Sequence, residues 1–518
     1  MEKLSKNLMN AVLLIAAMFI YSSCNDELDQ FDEEVENKIE KETIVDGRMK
    51  FNSSESLKSR IEDLKSQPES ILVDELEKLN NAGFISLRPV VTEENLESVQ
   101  ARYGVMTNGR SIDEAQEVTD YIGDDVFAAI LNEEGLLQIG DSIYKYTPIG
   151  LFFVHESKLD HLNNFLEELL GSQSNGRSLQ PVDPCPILSP FSIQGGEVTS
   201  LDSDINYYSA IDPCSYPSPS PTPTPTPSPS PNPNPTDPVA DFVNSLTPCS
   251  ANDGWASWIF GDSKICIDHF TERSRVRTKF WNQNYGLWRS VGIKVKHQFR
   301  QFGIWYSSSI DEMRLGLKSA YHLYKMKQED LWDKPINTTK QLIYNDNLYD
   351  FNSVSSFGSP LERTDVLPDG IDISIIYDIS SGVGDDRTSE EYINNNIYPE
   401  VINRLPNFYA AQNIDPLSIR GILIMVIGDT KIGYKRFNDF RTANNKSKLE
   451  ILLDNDQPNF QAGIKIDSKG NVKPDYKKFK YKAKNTFFDA SIEAYGVGRR
   501  NTSVKGSLLA ATGLNPNP

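Results

Sequence analysis

The sequence lacks the short motifs that define several large enzyme classes. It contains no Gly-x-Ser-x-Gly nucleophile elbow, no Gly-x4-Gly-Lys-Ser/Thr phosphate loop, no Gly-x-Gly-x-x-Gly dinucleotide loop and no His-Glu-x-x-His zinc motif. Its 5 histidines are scattered, and none are paired at ligand spacing. His297 falls on the apolar side of a predicted strand, which favours a hydrogen-bonded structural role. We therefore predict no cofactor and no metal.

Long apolar runs are lacking too. No run reaches the roughly 18 residues of a membrane-spanning helix, which excludes a polytopic membrane protein. Aromatic residues, in contrast, make up 10% of the 518 residues. That is too many for a chain that is disordered throughout, so the sequence predicts folded units.

The first 24 residues have the organisation of a secretory signal. Lys3 and Lys6 make a basic start, and the apolar core Met9 to Ile20 follows. The tetrapeptide Tyr-Ser-Ser-Cys that ends at Cys24 resembles the lipobox of bacterial lipoproteins, in which the cysteine receives the lipid. The resemblance implies a signal peptide over residues 1–23, lipidation of Cys24 and contact with a membrane. The alternative is a buried apolar helix with an incidental cysteine.

Acidic residues dominate the stretch after Cys24. Asn25 to Glu34 resembles the acidic export tag on surface lipoproteins of gut-type Gram-negative bacteria. The same composition predicts a disordered tether, which we assign to residues 24–50. We thus expect an outer-membrane protein that faces the cell surface, with a periplasmic orientation as the alternative.

The negative charge belongs to the front of the chain. Residues 1–238 carry 16 Lys and Arg against 40 Asp and Glu, whereas residues 239–518 carry 36 against 32. The formal charge is therefore −24 in front and +4 behind. An acidic front repels phosphates, and we expect no nucleic-acid partner.

Periodicity predicts an α+β protein with two folded modules. Residues 51–170 combine helical apolar spacing with a hairpin around Thr147 to Gly150, which indicates a small α+β module. Residues 171–216 have little periodicity and are predicted to be irregular. Residues 239–518 form a larger β-rich domain with a helix between two central strands, an order that predicts a parallel crossover.

Proline occupies alternate positions over residues 217–238, in the run PSPSPTPTPTPSPSPNPNPTDP. Such a run excludes helix and inner strand. It favours polyproline II at about 3.1 Å per residue, or about 68 Å in all. We predict a stiff linker that separates the two modules.

Four cysteines follow Cys24, an even number suited to an oxidising compartment. Of the three possible connectivities, sequence proximity favours Cys185–Cys214 and Cys249–Cys266. Free thiols and a zinc site are the alternatives, and no Cys-x-x-Cys motif supports the zinc site.

Two weak sets of site residues emerge from the back half. Asp385 and Asp386 follow a predicted central strand and precede a helix, where α/β sites often lie; the favoured alternative is a helix cap made by Asp386 or Thr388. Trp281, Trp288 and Trp305 lie among basic residues and could receive a glycan. The alternative is a set of amphipathic strands with Lys and Arg on the wet face.

Several segments are similar to known lipoproteins. Ile139 to Val154 resembles a segment of other surface lipoproteins. Gly303-Ile304-Trp305-Tyr306, the run Asp311 to Gly316 and the run Ser491 to Gly496 are similar to motifs of an uncharacterised family of gut-bacterial lipoproteins. That resemblance covers residues 240–515 and implies location and architecture, with no known active site.

The leading functional prediction is a binding module for a glycan or another surface protein, displayed on a stalk. A surface hydrolase that acts on polysaccharide and a structural component of the envelope are the alternatives.

Overall fold

The structure is a computed structural model. It describes residues 42–106, 121–171, 183–214, 237–249 and most of 252–512, with gaps at 254–256, 325–339, 345–346, 351–370, 379–391, 415–418, 428–430, 438, 457–458, 467–471 and 483–486. The predicted α+β class is confirmed: a smaller mixed region precedes a larger β-rich region that has a helix among its strands.

The front region is built on a seven-stranded sheet in the order β1-β2-β3-β4-β5-β7-β6. The predicted hairpin around Thr147 is confirmed as β4 and β5, which pair in antiparallel register from Ser142 opposite His155. The strands are β1 (Thr43–Val45), β2 (Arg48–Phe51), β3 (Leu136–Ile139), β4 (Ser142–Thr147), β5 (Gly150–His155), β6 (Val198–Ser200) and β7 (Asn206–Tyr208).

Two predicted boundaries of the front region are wrong. Strand β1 and all of β2 except Phe51 lie inside the predicted tether 24–50, because Met49 is buried and joins the front core together with Phe51. Strands β6 and β7 lie inside the predicted irregular segment and extend the sheet beyond β5. The strands of both segments are short, at 3 or 4 residues, and give little periodicity to detect.

Helices cover the front sheet, except that the helix Leu96–Met106 packs through Leu96 and Val99 on Ile304 and Tyr306 of the back region. Ser53 caps the first helix through its side chain, which accepts a hydrogen bond from the backbone N–H of Ser56, and the apolar face of this helix buries Leu57 and Ile61. The helices are α1 (Ser54–Ser66), α2 (Glu69–Asn81), α3 (Leu96–Met106), α4 (Asp125–Ile130), α5 (Leu159–Gly171) and α6 (Pro184–Leu188).

The back region contains a six-stranded sheet, in which β11 pairs with β10, β12 and β20. The helix α7 (Pro238–Ser245) precedes it. The strands are β8 (Asn252–Asp253), β9 (Gly261–Thr271), β10 (Ser274–Asn284), β11 (Arg289–Gln301), β12 (Ile304–Ser307) and β20 (Lys448–Asp456).

A nine-stranded sheet faces the six-stranded one, and apolar residues of both form one core that includes Val276, Ile293 and Leu315. Its strands are β13 (Ile310–Tyr324), β14 (Lys340–Tyr344), β15 (Asn347–Asp350), β16 (Ile373–Asp378), β17 (Gly421–Ile427), β18 (Lys431–Phe437), β19 (Phe440–Lys446), β23 (Phe487–Arg500) and β24 (Ser503–Thr512). A separate hairpin is formed by β21 (Asn459–Ile466) and β22 (Val472–Lys482).

The predicted crossover is confirmed. β16 and β17 pair in parallel, and the helix α8 (Tyr398–Gln412) lies between them in the chain. One π-helical turn, Ile393–Ile397, precedes α8. Pro399 falls in the first turn of α8, directly after this π-helical turn.

The two regions are not separate modules, contrary to the sequence prediction. A single apolar cluster unites Phe127 and Tyr146 of the front with Phe260, Tyr285 and Trp288 of the back. The Phe127 and Tyr285 rings stack with their centroids 4.9 Å apart. Residues 217–236 of the proline run lie outside the described residues, and Asp237 and Pro238 already belong to the start of α7.

Both predicted disulfides are confirmed. Cys185 pairs with Cys214, and Cys249 pairs with Cys266. Asp183 and Asp212 each accept a hydrogen bond from the backbone N–H of the cysteine two residues later, at 3.0 and 2.8 Å, which fixes both Asp-Pro-Cys turns.

Candidate functional site

Two groups of side chains stand out in the described structure, and both involve the outer face of the six-stranded sheet. This face is turned away from the nine-stranded sheet. We call the first group, Lys65, Asp124, Asp125, Lys294 and Lys296, the interface charge cluster. We call the second group, His269, Arg275, Arg300, Phe302 and Trp305, the hairpin patch.

The interface charge cluster begins at the N-terminus of α4. Asp124 caps this helix, since its Oδ1 accepts hydrogen bonds from the backbone N–H groups of Val126 and Phe127 at 3.1 and 3.2 Å. Its Oδ2 accepts from Lys65 Nζ at 2.5 Å and from Trp288 Nε1 at 3.1 Å. Asp124 thus ties α1 and α4 of the front region to a tryptophan of the back region.

Asp125 makes the second link. Its two carboxylate oxygens lie 2.6 Å from Lys294 Nζ and 2.7 Å from Lys296 Nζ, both on β11. Arg88 Nη1 approaches the same carboxylate at 3.2 Å. Burial raises the pKa of the Asp125 carboxyl, but Lys294, Lys296 and Arg88 outweigh burial and hold that pKa well below its usual range.

Backbone contacts close the interface around the two carboxylates. The Gly123 N–H donates to Gln283 Oε1 at 2.6 Å, and the Gly123 carbonyl accepts from Lys294 Nζ at 3.2 Å. A Cβ at Gly123 would lie 2.6 Å from the Trp281 Cβ, so only glycine allows this approach.

The interface charge cluster is suited to holding the two regions together and not to acid–base catalysis. A general acid that works near neutral pH needs a raised carboxyl pKa. The pKa of Asp124 is lowered because Lys65 outweighs the effect of burial, and that of Asp125 is lowered further. Both carboxylates are therefore ionised and paired.

The hairpin patch lies farther along the same face, at the turn between β11 and β12. Phe302 and Gly303 form this two-residue turn with φ angles of 54° and 82°, the left-handed values of a type I′ turn. Phe302 is 64% exposed, although an aromatic side chain prefers neither water nor a positive φ. The turn therefore holds an aromatic ring out from the sheet at a cost in stability.

Trp305 lies behind this turn, and two arginine side chains approach its ring. The Arg275 guanidinium carbon is 3.8 Å from the Trp305 ring centroid, and that of Arg300 is 5.7 Å away. Arg275 Nε also donates to Gln298 Oε1 at 3.0 Å. The ring and the amide together fix the plane of the Arg275 guanidinium.

The structure sorts the predicted site residues into three groups. Trp305 belongs to the hairpin patch but is only 8% exposed, with the Arg275 guanidinium over its ring. Trp281 and Trp288 are 1% and 0% exposed, so the prediction that they bind a ligand is wrong; they fill the interface between the two regions. Cys24, Asp385 and Asp386 lie outside the described residues.

The alternative prediction for the basic strands places their Lys and Arg on a solvent-exposed face. That alternative is wrong for the part of β10 and β11 that faces the front region. Lys279 and Lys294 stand directly opposite each other on β10 and β11, yet each is only 1% exposed. Like charges in that position repel, so the sheet needs acidic residues from another element. The two adjacent acids that follow Gly123 are the sequence signal for these partners. Pairing them with the lysines requires the register of the strands, and no motif reveals that register.

Within the described residues, no group of three His, Cys, Asp or Glu side chains is placed to hold a metal ion. No helix in the described part of the chain is long and apolar enough to cross a membrane.

No protein-family model matches this chain, and no curated protein matches it. Its function is therefore inferred from the residues themselves.

Proposed function

We propose that the protein is a lipid-anchored outer-membrane protein that faces the cell surface and binds a glycan through the hairpin patch. The basic start, the apolar core, Cys24 and the acidic stretch after it support the anchor and its export. The two disulfides suit a compartment outside the cytoplasm.

The exposed ring of Phe302 is the observation that supports binding most directly. An aromatic residue held at positive φ and 64% exposed weakens the fold, so it needs a use beyond folding. Its ring offers an exposed apolar surface in the turn that follows Arg300 and Gln301 of β11. Ligand sites commonly combine aromatic surface with a few polar groups, and a sugar ring has one apolar face to set against it.

The anchor is tested by metabolic labelling with radioactive palmitate in the native host. We expect label in the wild-type protein and none in the Cys24→Ala variant. Protease added to intact cells should then cleave the lipidated protein. Label that persists in Cys24→Ala contradicts the anchor, and protection from protease until the outer membrane is broken contradicts the surface orientation.

Binding is tested by applying the full Cys24→Ser chain, which carries no lipid, to a glycan array. We expect retention of the wild-type sequence and loss of retention for Phe302→Asn, since Asn suits the same turn but offers no ring. The absence of any bound glycan, or equal retention of both chains, contradicts the proposal. Crosslinking on intact cells to one envelope protein would favour a protein partner instead.

A further inference from the structure

We infer that a groove between α2 and α3 binds a peptide segment of a partner protein, in which one apolar residue lies among lysines or arginines. The groove belongs to the front region and shares no residue with the hairpin patch, so this second site does not depend on the proposed function. Three observations support the site: the apolar lining of the groove, the carboxylate of Glu77 in it, and the negative charge of the surrounding chain.

The α2–α3 groove is shallow and mostly apolar. One side is a single face of α2, because Val73, Glu77 and Asn80 are three or four residues apart on this helix. The chain between the two helices and the start of α3 complete the lining. Its apolar members are Val73, Leu76, Ile85, Pro89, Val90 and Val99. The free space is about 30 Å³, which is room for about two water molecules or for the end of one apolar side chain.

Two polar side chains of the lining are bonded within the protein. Ser86 Oγ donates to the Ala129 carbonyl at 2.8 Å. Asn95 Nδ2 donates to the Val90 carbonyl, and Asn95 Oδ1 accepts from the Thr92 N–H, both at 2.8 Å. A ligand in the groove therefore does not need to replace these bonds, and an apolar group is suited to this part of the lining.

Glu77 differs from these polar residues. Its side chain is half-buried in the groove, and among the described residues no hydrogen bond or ion pair reaches its carboxylate. The neighbouring Glu75, in contrast, is paired with Arg60 at 3.1 Å and with Lys78 at 2.8 Å. A cation on a ligand seated in the groove would pair with Glu77 where water is partly excluded, which strengthens the attraction.

The chain that forms the groove is strongly acidic. Residues 69–100 carry 7 Asp and Glu against 2 Lys and Arg, a formal charge of −5. Both cations already have acidic partners, since Lys78 is paired with Glu75 and Arg88 with Asp125 at 3.2 Å. The negative potential of this surface attracts a basic ligand and repels an acidic one.

A basic peptide segment has both features that the groove requires. One branched apolar side chain fills the space between the helices, and a lysine or arginine next to it pairs with Glu77. The same charge disfavours a second copy of this chain as the occupant, because residues 1–238 carry a formal charge of −24 and like charges would meet.

Three blocked, fluorescein-labelled peptides test the site: Lys-Lys-Leu-Lys-Lys, Lys-Lys-Ser-Lys-Lys and Glu-Glu-Leu-Glu-Glu. Fluorescence anisotropy measures the binding of each peptide to the full Cys24→Ser chain. We expect the first peptide to bind and the serine peptide to bind about tenfold more weakly, since a buried leucine side chain supplies that much. The acidic peptide should not bind, and added salt should weaken the binding of the first.

Variants locate the peptide in the groove. Glu77→Gln keeps the shape of the side chain but removes its charge, and we expect it to weaken binding of the leucine peptide about tenfold. Ile85→Trp fills the groove and should abolish binding. Glu167→Gln is the matched control, because it removes an exposed carboxylate from α5 in the same region, and we expect no change. Far-ultraviolet circular dichroism checks that each variant is folded.

Four results would overturn the inference. The first is no binding of the leucine peptide, and the second is equal binding of the leucine and serine peptides, which would mean that charge alone attracts them. The third is equal binding of the acidic peptide. The fourth is an unchanged affinity in Glu77→Gln or in a folded Ile85→Trp variant. If Ile85→Trp does not fold, Glu77→Gln and the peptide comparison still decide the question.

Discussion

At the scale of single residues, the contacts of Asp125 explain how buried lysine is tolerated in this protein. Lys294 is 1% exposed and has its Nζ 2.6 Å from the Asp125 carboxylate. Burial lowers the pKa of Lys294 well below its usual range, and Asp125 acts in the opposite direction to favour the charged form. Burying a charge without a partner is among the most destabilising changes a protein can undergo. The main effect of Asp125 is therefore to keep the buried charge of Lys294 from being isolated, and the attraction between the two groups matters less.

Asp125→Asn should for this reason lower the free energy of unfolding by about 3–5 kcal/mol. Chemical denaturation of the full chain measures the change. Asp160→Asn is the matched control, because Asp160 is an exposed carboxylate on α5, and it should change stability by less than about 0.5 kcal/mol. A similar small effect for both variants would contradict the role given to Asp125.

His297 gives the protein a pH dependence above the range of the carboxylates. Its Nδ1 is 2.8 Å from the Ser308 carbonyl and must donate to it, so Nε2 accepts from the Ser274 hydroxyl at 2.9 Å. Burial favours the neutral ring, which can make both of these bonds, in keeping with the predicted structural role. Burial lowers the His297 pKa, although the bond to the Ser308 carbonyl acts in the opposite direction.

Because the folded pKa of His297 is lowered, the unfolded chain binds the proton more readily. The stability that His297 contributes is complete well above its unfolded pKa of about 6.5 and is lost as the pH falls below that value. The free energy of unfolding should decrease between neutral pH and about pH 5, and His297→Gln should remove part of that decrease. Parallel pH profiles for the two chains would refute this prediction.

At the scale of elements, the β11–β12 turn places an exposed aromatic residue in a backbone conformation that lowers the stability of the fold. Among the described residues, those other than glycine with positive φ are mostly short polar residues, and Asn413, Asn445 and Asn501 are three of them. Phe302 is the apolar exception. Asparagine tolerates the left-handed conformation because its short side chain can bond locally.

Phe302→Asn should therefore raise the free energy of unfolding by about 1 kcal/mol while it abolishes glycan binding. Thermal unfolding measures the gain. The reverse exchange, Asn501→Phe in the turn between β23 and β24, serves as the control and should lose a similar amount. A loss of stability in Phe302→Asn would mean that the ring packs for folding after all.

The Cys185–Cys214 disulfide stabilises a second part of the fold at this scale. It closes 29 residues that contain β6 and β7, two short strands at the end of the front sheet. A closed loop of this size restricts the unfolded chain, so the Cys185→Ala/Cys214→Ala double variant should lose about 3 kcal/mol. Denaturation under oxidising conditions measures the loss, and no loss would show that β6 and β7 are held by the sheet alone.

At the scale of the whole molecule, the front and back regions fold as one body. The shared cluster around Tyr285 and Trp288 and the two carboxylate links cross the interface. We expect residues 239–518 expressed alone to expose this apolar surface and to aggregate, although they form two sheets of their own. Size-exclusion chromatography of the fragment tests this, and a stable, folded monomer would contradict it.

The sequence predicted the parts of this fold that depend on local patterns. The strand–helix–strand crossover, the hairpin at Thr147 and both disulfides followed from alternation, turn residues and short separations along the chain. The docking of the two regions could not be predicted. A proline run has the composition of a spacer whether the regions at its two ends are apart or in contact. The Asp125 contacts and the pairing of Arg275 with Trp305 depend on side chains far apart in the sequence, and no spacing rule joins them.

The positions of the two disulfides have a consequence for dividing the protein. Cys185–Cys214 lies wholly before the proline run and Cys249–Cys266 wholly after it, so neither described disulfide bridges the run. If a protease cut the run, the two pieces would stay together only through non-covalent contacts. Their reassembly could then be titrated like that of any two-chain complex, and the dissociation constant would measure directly how strongly the regions hold each other.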